Sequence, residues 1–485
     1  MSISASLSSA LSGLTAASRR AEVVASNVAN AMTEGYGRRE LEVSARSVGS
    51  TGQGVQVDGV TRHADLAVIN DRRRAQAEAS DQDQRATALR RIDSTLGAPD
   101  DPASLTARVA LLENALIAAT AQPASEARLS QVTDAVRGIA AKFGAITTDI
   151  QTSRTEADNR IKSEVDQVNT ALTRIADLNS KVRATAGAGR DPSALIDQRQ
   201  QVIDSVAAII PLREVPRDGG QLALVTPGGA VLLDGAAAKL GFAPVATVVA
   251  GMTQGSGTLS GLTLNGRPIA TSGETSPIAG GSLAGHFAVR DELAPEAQTR
   301  LDAVARDLIE RFASPSVDPT LSAADAGLFT DNGAAFLPAN ETGLAGRLAL
   351  NAAVDPLLGG DLRRLRDGLA ATSPGAVGDS SQLTRLQTAL TAQRSPVSGD
   401  FMPGNRSFAT LTADLASGVA TARLNAETGH SFASARADAL HSAEMQGGVD
   451  TDQEMQNLLT IEQAYSANAK VIQTVDDMIK TLLSI

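Results

Sequence analysis

The two ends of this 485-residue chain carry the same heptad pattern. Near the N-terminus, Ile3, Leu7, Ala10, Leu14, Ala17, Ala21, Val24 and Val28 follow one another at alternating spacings of four and three. Near the C-terminus, Leu458, Ile461, Tyr465, Asn468, Ile472, Val475, Ile479 and Leu482 do the same. A 3.5-residue repeat marks a helix whose stripe packs along another helix. Two such helices at opposite ends predict a chain that folds back and pairs its own termini. The ends then form one pole and the middle projects from it. Asn468 is the polar member of its stripe, a residue type that fixes register in coiled coils at some cost in stability.

The chain is 42% hydrophobic, enough for several cores, and its length suggests about three domains. Its 43 basic and 54 acidic residues leave a net charge of −11, which argues against nucleic acid as the main partner, since phosphate binding needs a basic face. The dense basic runs are Arg72-Arg73-Arg74, read as a solvated helix face, and Arg38-Arg39. Aromatics make up 2% and Trp is absent, so cores must be built from Ala, Leu, Val and Ile. That suits long thin helices better than a deep ligand pocket. The lack of Cys excludes disulfides, thiolate metal sites and Cys nucleophiles, and leaves the compartment open. No apolar run approaches a membrane span of about 20 residues. The N-terminus lacks the basic region of a Sec signal, its first charge being Arg19. The expectation is a protein that stays inside or leaves by another route.

The fold class expected is mainly α with inserted β. Residues 2–31 read as one helix, and Gly35 and Gly37 supply the turn that ends it. Residues 40–60 alternate like a hairpin, and helix returns from Leu66 to Leu96. A second helical block spans about 103–186. Its heptads run from Leu129 to Ile150, slip in phase, and resume from Ile161 to Val182, which suggests coiled-coil packing. Asp191 and Pro192 read as the cap and first residue of a helix over 193–209. From Pro211 to about Gly280, short apolar runs between Asp-Gly and Asn-Gly pairs predict a compact β unit. Residues 283–313 read as helix, and 327–355 as extended with a strand at Leu348-Ala-Leu350. Residues 360–445 read as helix broken by loops. The expected domains are terminal (1–60 with 445–485), helical rod (61–210 with 360–444), outer β-rich (211–282) and mixed α/β (283–359).

Chemistry is hard to find. His63, His286, His430 and His441 are scattered, with no zinc spacing. No phosphate-binding loop occurs, and Gly187-Ala-Gly189 reads as a turn. Gly280-Gly-Ser282-Leu-Ala284 has Ala where a nucleophile elbow needs Gly, so Ser282 reads as a helix cap. Thr451-Asp-Gln-Glu454 reads as a capping box, and Asp476-Asp477 as solvent-facing. No cofactor or metal is expected.

The stretch from Ser26 to Arg39 (SNVANAMTEGYGRR), with Ser12-Gly-Leu-Thr-Ala-Ala17, resembles the N-terminal signature of bacterial flagellar rod, hook and hook-associated proteins. Gly448 to Met455 and Gln463 to Leu483 resemble the matching C-terminal signature. Tyr36-Gly-Arg38-Arg39, Leu195 to Ile203 and Gly285 to Glu292 are similar to the hook-associated members that join hook to filament. Glu34 departs from the family, which often has Pro there. The resemblance implies a structural axial protein, not an enzyme, exported unfolded by the flagellar type III apparatus. It would polymerise through its terminal helices around a channel, with the β unit facing outwards. Implied partners are copies of itself in a ring, the hook protein, a second hook-associated junction protein, the filament cap during assembly, and an export chaperone on the C-terminal helix. The implied assembly residues are Ile3, Leu7, Leu14, Val24, Val28, Leu458, Ile461, Tyr465, Asn468, Ile472, Val475, Ile479 and Leu482. Asn27, Asn30, Gly35, Tyr36 and Arg38 would set how the chain leaves the channel helix. The alternatives are a hook or distal-rod protein, or a secreted enzyme carried on flagellar ends.

Overall fold

A computed structural model describes residues 3–48, 51–273 and 276–484; Ser2 of the expected first helix, two hairpin residues and Glu274-Thr275 of the β unit lie outside it. Helix α1 (Ile3–Ala29) leads into a two-stranded antiparallel ribbon, β1 (Arg38–Val48) and β2 (Thr51–His63). Helix α2 (Leu66–Leu96) follows, capped by Asp65, whose carboxylate accepts from the N–H groups of Ala67 and Val68 at 2.9 and 3.2 Å. Then come α3 (Leu105–Ala121), the 62-residue α4 (Glu126–Gly187) and α5 (Ser193–Ala207). Pro192, expected as the first helical residue, instead takes the N-cap position of α5 with no side-chain cap, while Asp191, the expected cap, sits one residue earlier and accepts from Ser193 N at 2.9 Å.

The β unit is two small antiparallel sheets. One has the order β3 (Arg213–Pro216), β4 (Leu222–Val225), β5 (Val231–Asp234), β6 (Ala236–Ala237). The other is β7 (Leu240–Gly241), β8 (Leu262–Leu264), β9 (Arg267–Ile269). Helices α6 (Ser282–Ala288) and α7 (Ala294–Ala313) are joined by a π-helical turn at Val289–Leu293. The predicted strand is β11 (Leu348–Leu350), paired with β10 (Phe329–Asp331). Short α8 (Arg364–Asp367) and α9 (Ser381–Thr391) precede the long α10 (Phe408–Gln446) and α11 (Thr451–Leu483). Ion pairs Arg423–Asp93 at 3.0 Å and Arg436–Glu78 at 3.6 Å, with Arg72–Glu444, fix α10 antiparallel to α2.

Helix α4 does not form the coiled coil that its heptads suggest. Its residues Leu129 to Ile150 join one apolar core with α3, α7, α9 and the start of α10. Residues Ile161 to Ile175 join a second, with α5, the sheets and α6. The heptad slip falls between the two, where Arg154 and Asp158 are buried instead of apolar side chains. Arg290 crosses this waist: it donates to Asp158 Oδ1 at 2.6 Å and to the Ser260 carbonyl at 2.9 Å, and lies over the Phe287 ring at 5.0 Å. Arg154 donates to the carbonyls of Val249 (3.1 Å) and Met252 (2.6 Å). Arg311 likewise pairs with Asp307 at 2.5 Å and gathers the Ala392 and Arg406 carbonyls at 2.6 and 3.1 Å. In a chain poor in aromatics, buried guanidiniums tie loops to helices. Each offers several donors and so satisfies backbone acceptors that would otherwise be buried unpaired.

Asp302 on α7 performs the same task with the opposite charge. It accepts from the N–H groups of Gly343 and Ala345 at 2.7 and 2.9 Å and from Gln298 Nε2 at 2.9 Å. Burial pushes its carboxyl up to about 6, against the pull of those hydrogen bonds. A raised carboxyl pKa favours the fold below the unfolded value and loses that advantage as pH rises through 6. Relative to Asp302→Asn, the native protein should therefore lose at most about 3 kcal/mol of stability between pH 4 and 7.5. Urea unfolding of both proteins at both pH values checks this; a gap independent of pH would refute it.

Candidate assembly interface

The first and last helices pair. Ala17, Val24 and Ile461 form a small buried cluster, with Ala21 and Leu458 packed against it. Val475 is also buried; Ile3, Leu14, Val28, Ile472 and Ile479 are half-buried. Gly13 faces Asn468: a Cβ there would lie 2.8 Å from Asn468 Oδ1. Asn468 is half-buried and its Nδ2 donates back to the Ala464 carbonyl at 2.9 Å. The pair is antiparallel, and α11 is the longer helix, so its end overhangs the start of α1. This explains why Leu482 is exposed. Leu7 and Tyr465 are exposed too, so those three seam positions have no full partner among the described residues.

The turn leaving α1 is locked by one side chain. Asn27 is fully buried, and its Oδ1 accepts from Tyr36 Oη and Arg39 N, both at 2.9 Å. Its Nδ2 donates to the Arg39 carbonyl at 2.8 Å. The side chain thus spans from the end of the helix to the start of β1. Asn30 donates to the Ser26 carbonyl at 2.9 Å and closes the last helical turn. Gly35 has φ +78°, in the left-handed region, and a Cβ there would lie 3.1 Å from Gln201 Cγ on α5. Arg39 lies over the Tyr36 ring, 4.9 Å from its centroid.

Two segments noted separately in the sequence meet here. Asp197 on α5 accepts from Arg39 (2.6 Å), from Arg62 Nε (2.7 Å) and from Gly37 N (3.2 Å). It anchors the exit turn and the base of the ribbon to the rod with one carboxylate. Arg38 reaches the other terminal helix, where Glu454 accepts from it at 2.7 Å. Glu454 is therefore not half of a capping box. The cap of α11 is Asp450, which accepts from Asp452 N at 2.9 Å and Gln453 N at 3.1 Å. Of the Arg72–Arg74 run, expected to be a solvated face, only Arg74 is exposed. Arg73 is fully buried between Asp204 and Glu214, and Arg72 binds Asp204 at 2.7 Å and Glu444. Burial alone would lower the Arg72 guanidinium, but its two carboxylates hold it above its usual range. Sequence reasoning missed Asp197, Glu454, Asp204, Glu214 and Glu444 as partners. Charges that pair across the whole chain leave no periodic signal.

The remaining chemistry is structural. Ser282 does not cap α6; its hydroxyl donates to Glu164 on α4 at 2.6 Å, and His286 lies 3.5 Å from the same carboxylate. A nucleophilic Ser needs its hydroxyl on the imidazole, and here the carboxylate takes it. Among the described residues no group of three or more His, Cys, Asp or Glu is placed to hold a metal, and no helix is long and apolar enough to cross a membrane.

The Gly13–Asn468 contact generates a test of the seam. Gly13→Ala should force the Asn468 amide off its bond to the Ala464 carbonyl and raise amide exchange around residue 468. Adding Asn468→Ala should restore protection. Unchanged exchange in the single variant would contradict the contact.

The sequence has relatives. Residues 89–314 match the family model of the flagellar hook-associated protein FlgK helical domain. Residues 7–36 match that of the flagella basal body rod protein, and 446–485 that of the flagellar basal body rod FlgEFG protein C-terminal region. Flagellar hook-associated protein 1 of Bacillus subtilis is 22% identical over 99% of this chain and 97% of its own length. The Escherichia coli protein of that name is 23% identical over the full length of both. The Salmonella typhimurium one is 28% identical over 49% of this chain and 44% of its own length, so that match spans less than half of the relative. The flagellar hook junction protein FlgK from Burkholderia pseudomallei aligns with a TM-score of 0.45 and 19% identity, over 54% of this chain and 47% of that one. The chain is thus similar to flagellar hook-associated protein 1 sequences along its whole length, and its helical middle and both ends each match a flagellar family model.

Proposed function

We propose that this chain joins hook to filament by polymerising through its terminal helices. One observation carries the reading: the paired termini still expose apolar side chains that nothing among the described residues covers. Leu11, Met455, Leu459, Val471, Met478 and Leu482 all face outwards. A pair held by alanine and valine buries little area, and neighbours in a ring would supply the rest. In this reading Ile3, Leu14, Val24, Val28, Leu458, Ile461, Ile472, Val475 and Ile479 hold the pair. Leu7, Tyr465 and Leu482 meet adjacent subunits, and Asn468 against Gly13 sets the register. Asn27, Asn30, Gly35, Tyr36 and Arg38 aim the pair relative to the rod. Residues 1–60 with 445–485 act as the terminal domain, and 211–282 as an outer unit carried on the helical rod.

The proposed partners are further copies in a ring, the hook protein below and a second junction protein above. The filament cap during assembly and an export chaperone on α11 complete the set. A second reading, a hook or distal-rod protein, draws support from the rod-type matches at 7–36 and 446–485. The hook-associated match over 89–314 favours the first reading.

Leu7→Asp should leave the rod and β unit folded yet reduce junction incorporation to below a tenth of normal, read as filaments per cell with the variant protein recovered from the medium. Normal filaments would contradict the proposal. In the purified monomer, limited proteolysis should trim both ends before it cuts the rod; ends that outlast the rod would count against it.

A further inference from the structure

The two terminal helices are not held alike. Helix α1 has a second packed face, away from the seam that meets α11. Ser9, Ser12 and Ala16 mark it at spacings of three and four, and the ribbon runs back along it. Val55 N of β2 donates to Ser12 Oγ at 3.0 Å, and Ser12 Oγ donates to the Ser9 carbonyl at 2.9 Å. Gly54, at φ +93°, lets the strand touch the helix: a Cβ there would lie 2.0 Å from Ser12 Oγ and 2.9 Å from Ser9 Cα. Ala16 is buried although it lies off the α11 seam. Near the other end of α1, Asn27 bonds the exit turn through both atoms of its amide. The segment that follows α1 in sequence therefore straps it at both ends.

Helix α11 has no such strap. Of its 33 residues, Glu454, Ile461 and Val475 are buried. Past Glu454, its side-chain hydrogen bonds and ion pairs among the described residues stay within the helix. Thr460, Asn468, Thr474 and Thr481 each donate to a carbonyl four residues back, and Lys480 pairs with Asp476. One polar tie leaves it: the buried Glu454 carboxylate accepts from Arg38 at 2.7 Å. The rest of its hold is the shallow apolar seam on α1. Gly447-Gly448-Val449 joins the end of α10 to Asp450, the cap of α11, and two of those three residues have no side chain. A short segment of small residues between two helices absorbs the backbone rotation of a hinge.

We infer that α11 is a hinged arm: it swings off α1 about Gly447–Val449 when Arg38 and Glu454 part, while α1 stays strapped to the ribbon as a preformed rail. This is a property of the single chain and goes beyond the junction reading; the purified protein decides it whatever the chain assembles with. An arm that opens alone closes again on an ordered surface, so one helix instead of two has to find its place. Amide exchange of the purified full-length protein tests this. Residues 456–475 should exchange at least about tenfold faster than residues 9–27, because opening frees the arm and leaves the rail protected. Equal rates in the two helices, or faster exchange in α1, would overturn the arm. Glu454→Ala removes the latch and should speed exchange in α11 while leaving α1 unchanged. A joint rise in both helices, or no rise in α11, would overturn it. Gly54→Ala should lift the strap and bring exchange in α1 up to that of α11, with α4 unchanged. Protection of α1 that survives this substitution would overturn the strap.

Discussion

The terminal helix pair is thin, and the rest of the molecule is arranged around that fact. Ala17, Ala21, Val24, Leu458 and Ile461 bring two long helices together with small side chains. Such a seam defines which faces meet, but it buries too little to fix the pair's direction relative to a separate body. Direction comes from charge. Asp197 holds Arg39, Arg62 and the Gly37 N–H, while Arg38 crosses to Glu454 on the last helix. Removing that carboxylate would leave two largely buried guanidiniums without a counterion, which is costly in a way that losing an exposed pair is not.

The same economy of aromatics shapes the rod. With no Trp and few rings, apolar cores are aliphatic and narrow, and α4 serves two of them in turn. The junction between the cores is polar. Arg154, Asp158 and Arg290 are buried there, and their donors and acceptors are taken up by one another and by loop carbonyls. A single long helix passing through both cores makes the two lobes one lever, with its base at the ion pairs of α2, α5 and α10.

Much of this was legible in the sequence wherever the signal was periodic. The heptads of α1 and α11 identify both the helices and their pairing. Asp-Gly and Asn-Gly pairs mark the β unit, and the phase slip after Ile150 marks the place where α4 changes partners, although it reads as an interrupted coiled coil. The Tyr36-Gly-Arg38-Arg39 and Leu195 to Ile203 segments were each visible, but their contact through Asp197 was not. An ion pair between residues 39 and 197 depends on how three helices and a ribbon pack, and nothing local encodes it. The buried Arg73 misled for a related reason. A run of three arginines suggests a wet surface, and only the converging carboxylates of Asp204 and Glu214 make burial tolerable. The π turn at Val289–Leu293 carries no Gly or Pro to announce it.

The central claim is that the two ends of the chain lie side by side. Spin labels on cysteines introduced at the exposed positions Ser18 and Glu462 would report it in the full-length protein, which has no cysteine of its own. Paired electron resonance should give a short distance that becomes narrower in assembled flagella. A long or broad distribution in the assembled state would mean that the termini part company there, and the account of the seam would be wrong.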